Sequence, residues 1–151
     1  MDAEIKNLPA LTVLGLSLQT LPKSPDIPKL WDKFVPRMAE ITGRTEANVT
    51  YGVMESVENM TSLHYMAGVA VGEQAPIPEG METWILEAKS YAVFESDLAT
   101  LGQAFDEIFG SWLPQSDFQQ AEGPLLERYG EDFDPQTHPV LRIYVPIKPK
   151  A

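Results

Sequence analysis

Apolar positions along this chain change period several times, and each change marks an element. Residues 8–18 are mostly apolar and are bounded by Pro9 and Pro22, which predicts a first strand. Residues 22–28 carry three prolines and read as a loop. Leu30, Trp31, Phe34, Val35, Met38 and Ile41 then recur at helical spacing, and Gly43 suits the C-terminal end of that helix. Pro36 falls inside it, so a kink or two short helices are expected. Residues 50–55 and 63–71 return to strand patterns, joined by residues 56–61. Prolines and glycines between Gly72 and Gly80 then punctuate the chain.

The same order follows a second time. Residues 83–87 and 91–95 predict one long or broken strand. Asp97 is placed to cap a helix whose apolar positions Leu98, Leu101, Phe105, Ile108 and Trp112 keep a three–four spacing, with Pro114 as its stop. A short strand at residues 124–129 and a last one at residues 140–147 complete the set. The chain therefore reads as a single domain over residues 1–151. It holds two consecutive strand-helix-strand-strand modules, about 8–72 and about 82–148. Two such units join into one sheet with two helices on it, an α+β fold. A cleft between related halves is a natural place for a small molecule.

Composition narrows the chemistry. At 151 residues and 44 % hydrophobic, the chain can bury its own core. It has no cysteine, which excludes disulfides, thiolate zinc sites and cysteine nucleophiles. Residues 1–6 lack the basic start and apolar run of a signal peptide, and no apolar run is long enough to span a bilayer. A cytoplasmic protein without a membrane partner is expected. The 22 acidic residues against 11 basic ones give a net charge of -11. Such a surface repels phosphate backbones, so no direct nucleic-acid binding is expected, and it draws cations weakly and salt-dependently.

One acidic residue stands apart. In a strand over residues 124–129, Leu125, Glu127 and Tyr129 share one face, while Leu126 and Arg128 share the other. Glu127 thus lies on the more apolar face, between a leucine and a tyrosine. Two readings follow: an edge strand with its charges in water, or a carboxylate in an aromatic pocket that waits for a cation. The two histidines, His64 and His138, show no ligand spacing, and no carboxylate cluster suggests a metal. No serine stands in a nucleophile elbow and no glycine loop suits a phosphate, so no cofactor is implied.

Three motifs, in order, carry a resemblance. Trp112-Leu113-Pro114-Gln115-Ser116-Asp117-Phe118 resembles a Trp-Leu-Pro-x-Ser-Gly-Tyr motif. Pro124-Leu125-Leu126-Glu127-Arg128-Tyr129 resembles Pro-x-x-Glu-x-Tyr, and Ile143-Tyr144-Val145-Pro146-Ile147 resembles Ile-Tyr-Ile-Pro-Ile. Together they are similar to the gyrase-inhibitor-like family. That family includes the effector-binding domains of AraC-type and MerR-type multidrug-responsive regulators. The resemblance implies two modules about a pseudo-two-fold axis and an antiparallel sheet. It also implies an aromatic-lined slot between the modules, where an acid meets lipophilic cations. Glu127 matches the central glutamate and Tyr144 the tyrosine of the last strand. The ligand-binding set it points to is Glu127 with Tyr51, Tyr65, Trp84, Tyr91, Phe105, Trp112 and Tyr144. Trp31 is a further candidate aromatic, and Met54 and Met66 are adaptable wall residues.

There are departures. Relatives often carry His and Gly where Phe94-Glu95-Ser96-Asp97 stands, and Asp117-Phe118 replaces Gly-Tyr. Arg142 stands where some drug-binding relatives place a second acid, and a slot-facing Arg142 would pair with Glu127. Fewer than a dozen residues precede the expected first strand, which leaves no room for a helix-turn-helix. The expectation is a stand-alone module, not an enzyme, that binds amphipathic or cationic aromatic molecules. It would act as a sensor, a sequestering protein or the ligand half of a regulator whose DNA-binding chain is separate. The alternative is a small hydrolase with Glu127 as general base, for which no second catalytic group is in sight.

Overall fold

The computed structural model describes residues 2–21, 24–57 and 62–150. Parts of two expected connections, residues 22–23 and 58–61, lie outside the described residues. The elements are strands β1 (Glu4–Leu8) and β2 (Leu11–Thr20), helix α1 (Asp26–Phe34) continued by a 3-10 segment (Val35–Glu40), and strands β3 (Thr50–Val57) and β4 (Ser62–Val71). Strands β5 (Glu82–Leu86) and β6 (Lys89–Asp97) follow, then helix α2 (Leu101–Glu107), a π-helical turn (Ile108–Trp112) and a last helical turn, α3 (Leu113–Gln115). Strands β7 (Phe118–Gln120), β8 (Leu125–Tyr129) and β9 (Val140–Pro149) close the chain.

Several expectations are corrected by proline and pairing. The single first strand is two, because Pro9 has no N–H for a ladder and the chain turns at Pro9-Ala10. The stretch from 82 to 97 takes the broken form of the two expected, as β5 pairing with β2 and β6 with β1 and β9. Asp97 ends β6 and does not cap α2. That helix starts at Leu101 behind Thr100, and Leu98 lies outside it. Pro114 does not stop the helix but sits in its last turn. A proline ring crowds the carbonyl four residues back, and the wide π turn just ahead of it relieves that crowding. Ser116 then ends the element, its hydroxyl donating to Leu113 O at 2.8 Å and accepting from the Phe118 N–H at 3.1 Å. The kink expected at Pro36 is present as the switch from α1 to the 3-10 segment.

Every strand pair is antiparallel, in the order β1-β6-β9-β8-β3-β4-β2-β5, with β7 added on β9. Match β1, β2, β3 and β4 with β5, β6, β8 and β9, and this order reads the same backwards. The relation is a pseudo-two-fold whose axis passes between β3 and β8. Each half lends its first strand to the other: β1 flanks β6, and β5 flanks β2.

Both helices lie on one face of the sheet. Leu30 and Phe34 of α1 pack with Leu14, Tyr65, Ala67 and Val69, while Ala104 and Ile108 pack with Ala92, Phe94, Ile143 and Val145. The opposite face holds a third cluster, including Val13, Tyr51, Val53, Met66, Leu86, Tyr91, Val93, Leu126 and Tyr144. That cluster mixes residues from both outer ends of the sheet. The two-residue links β1–β2 and β5–β6 tie each outer strand to the opposite half, so the sheet curls over its own core.

Candidate binding site

Strand β8 lies at the middle of the sheet, paired with β3 on one side and β9 on the other. Leu126 points into the cluster on the curled side, and Leu125 into the cluster under α2. Alternation therefore puts Glu127 on the helix-bearing face, where it is only 5 % exposed. Its cross-strand partners are Gly52 on β3 and Ile143 on β9. A Cβ at Gly52 would sit 2.2 Å from Tyr65 Oη and 2.6 Å from Glu127 Oε1. Only glycine leaves room for those two groups to meet.

Two phenols converge on one carboxylate oxygen. Tyr65 Oη, from β4, donates to Glu127 Oε1 at 2.9 Å, and Tyr129 Oη, from β8 itself, donates to the same atom at 3.1 Å. Trp31, on α1, donates its Nε1–H to Tyr65 Oη at 3.0 Å. The indole also meets the Tyr129 ring edge-on at 5.5 Å, and Tyr129 meets Phe133 at 4.8 Å. The result is a relay from α1 through β4 to Glu127, rimmed by aromatic rings.

Burial pushes the Glu127 carboxyl up to about 7, against the opposing pull of the two phenolic donors. Burial likewise raises both Tyr65 and Tyr129, with the neighbouring Glu127 charge adding to it, so both stay donors at neutral pH. Among the described residues no cationic side chain offsets the carboxylate. Arg128 lies on the other face, its Nη2 2.9 Å from Glu46 Oε2 and its Nε donating to Tyr51 Oη at 3.3 Å. Arg142 alternates with Ile143, so it too faces away from Glu127. It is half-exposed beside Glu95 at 3.9 Å. Among the described residues no ion pair includes Glu127.

The residues expected from the sequence divide by face. Glu127 and Tyr65 are brought together. Phe105 and Trp112 belong to the cluster under α2, Phe105 stacked on Phe109 at 6.5 Å and Trp112 edge-on to Phe94 at 4.9 Å. Tyr51, Trp84, Tyr91 and Tyr144 lie on the opposite face, Tyr91 against Tyr144 at 5.8 Å and Trp84 against His64 at 4.6 Å. Met54 packs on the α1 side and Met66 on the curled side. Tyr129 was absent from the expected set although alternation already puts it beside Glu127. The role of Trp31 depends on how α1 docks, for which periodicity gives no signal. Among the described residues no group of three His, Asp or Glu is placed to hold a metal ion.

Comparison with known proteins now adds a context. Residues 1–148 match the family described as the GyrI-like small molecule binding domain. The transcriptional regulator BrlR of Pseudomonas aeruginosa is 31 % identical over 153 residues, covering 97 % of this chain and 56 % of BrlR. The chain therefore spans little more than half the length of that relative. Among solved structures, SAV2435 bound to tetraphenylphosphonium superposes with a TM-score of 0.78 at 19 % identity, over 98 % of this chain and 94 % of the other. The C-terminal domain of EcmrR gives 0.72 at 12 % identity, over 99 % and 98 %. The fold is shared with both.

Proposed function

This chain belongs to the GyrI-like small-molecule-binding family, and on that premise we propose that it binds lipophilic, cationic aromatic molecules between its two helices, with Glu127 as counter-charge. The observation that carries this reading is a carboxylate buried among Tyr65, Tyr129 and Trp31 with no cationic side chain among the described residues paired to it. A buried, unpaired charge is penalised by several kcal/mol, and an organic cation relieves that penalty. Each desolvated ring face adds about 0.5–2 kcal/mol of cation–π attraction. The tetraphenylphosphonium complex of SAV2435 supports the ligand class.

In this reading Tyr65, Tyr129 and Trp31 form the wall beside α1, while Phe105 and Trp112 stand on the α2 side. Tyr51, Trp84, Tyr91 and Tyr144 support the floor from behind, through the core of the curled face. The two modules, about 8–72 and about 82–148, supply one wall each. The name of BrlR supports a place in transcriptional control. With a net charge of -11, this domain leaves DNA contact to a separate DNA-binding region or chain, and it works in the cytoplasm. The hydrolase alternative has the raised Glu127 carboxyl in its favour, but the groups that reach that carboxyl are phenols held as donors.

The test is differential. Both a cationic aromatic dye and a neutral analogue of similar shape bury apolar area against the same walls, but only the cation pairs with the carboxylate. Glu127→Gln is expected to weaken the cationic dye by about ten- to a hundredfold at pH 8 and to spare the analogue. Fluorescence titration of both dyes reads this directly. Equal losses for both would mean a disturbed pocket, and no loss for either would remove Glu127 from the site.

A further inference from the structure

We propose that an organic cation enters this site in exchange for a proton, so that binding is a cation-for-proton swap at Glu127. The inference rests on the reading of Glu127 as the ligand's counter-charge, and deepens it.

The surroundings of Glu127 leave few other choices. Among the described residues, β4 and β8 bring it the hydroxyls of Tyr65 and Tyr129, both neutral donors. From β3 it meets Gly52, and from β9 Ile143. The side chain that α1 contributes is Trp31, bonded to Tyr65. The charged residues of that helix, Asp26, Lys29, Asp32 and Lys33, are all exposed. The arginines of β8 and β9 are on the other face, beside Glu46 and Glu95. A carboxylate so buried needs a positive partner, and among the described residues none is placed to serve, so in the empty protein that partner is a proton. Two fixed phenol donors suit both states, because the same oxygen accepts from them whether or not the carboxyl is protonated. The site thus changes charge without rearranging its hydrogen bonds.

The energetics agree with this geometry. With the carboxyl of the empty site titrating at about 7, its ionised share falls from about nine-tenths at pH 8 to about one-tenth at pH 6. Only the ionised form pairs with a cation, so apparent affinity falls by the same factor, about tenfold.

The probe is tetraphenylphosphonium, which has no titratable group, so any pH dependence belongs to the protein. Isothermal calorimetry at pH 6 and pH 8, each in two buffers of different ionisation heat, gives affinity and protons released together. The expected result is binding about tenfold weaker at pH 6, with close to one proton released per cation there and about a tenth of one at pH 8. Glu127→Gln is expected to bind weakly at both pH values and to release no proton. Tyr129→Phe removes one donor to the charged form and is expected to move the midpoint of the affinity profile upward. That variant keeps the proposal testable where Glu127→Gln folds poorly. Binding of the same strength at pH 6 and 8 without proton release overturns the exchange and leaves the cation reading standing. An unchanged pH profile in Glu127→Gln also overturns it. If tetraphenylphosphonium does not bind at either pH, the cation reading falls too.

Discussion

Glu127 carries a burden that the fold maintains. Its carboxyl titrates at about 7 in the folded protein, above the range near 4.3 expected of an unfolded chain. A group raised in this way contributes its full stability below the unfolded value and loses it as pH rises through the folded value. At pH 8 the empty protein therefore carries a penalty of roughly 2–4 kcal/mol from this residue. Glu127→Gln removes most of it, so the variant is expected to melt several degrees above the wild type at pH 8, with the gap closing by pH 5. Thermal denaturation at the two pH values checks this, and equal melting points at pH 8 would contradict it. Part of this residue's situation was legible in advance. The two-residue period of a strand puts Leu125, Glu127 and Tyr129 on one face. What the period does not contain is Tyr65, 62 residues earlier, or the indole that orients it, because both arrive through tertiary docking.

The prolines show how far elements can be read from sequence. Pro36 marked a break inside the first helix, and the switch to a 3-10 segment lies there. Pro114 read as a stop, but a π turn absorbs it, a local adjustment that propensity rules do not foresee. Pro9 looked like the edge of one strand and is the joint between two. Glycines decide finer matters of approach. Gly15 and Gly68 face each other across β2 and β4, and a Cβ at Gly15 would lie 1.9 Å from the Ala67 carbonyl oxygen, a backbone atom that cannot step aside. Gly110, in the π turn, has open space around it. Gly15→Ala is expected to destabilise by about 3 kcal/mol or more, whereas Gly110→Ala is expected to be neutral or to stabilise by up to about 1 kcal/mol. Urea unfolding of the two variants separates them, and similar midpoints would refute the contrast.

Across the whole molecule, the repeated element order foretold a duplicated architecture, and the palindromic sheet bears that order out. The exchange of β1 and β5 between halves was not legible. It depends on which edge each strand meets, and a strand pattern is silent about its partner. The exchange has a thermodynamic meaning. Neither half completes its sheet without a strand from the other, so neither has a separate folded state to retreat to. The prediction is one cooperative transition. Trp31 reports on the first half, Trp112 on the second and Trp84 on the lent strand β5, so variants retaining one tryptophan each are expected to give coincident unfolding midpoints relative to their own circular dichroism. A fluorescence midpoint that departs from circular dichroism in any of the three would show that the halves unfold independently.

Gly52 stands directly across the β3–β8 seam from Glu127. A doubled scaffold invites a doubled charge, but here one side of the seam bears an acid and the other only a hydrogen atom. The cradle is lopsided at its centre. For the ligand we propose, that sets the stoichiometry: two matching walls, one anion, and so a single guest per chain, seated off-centre towards β8.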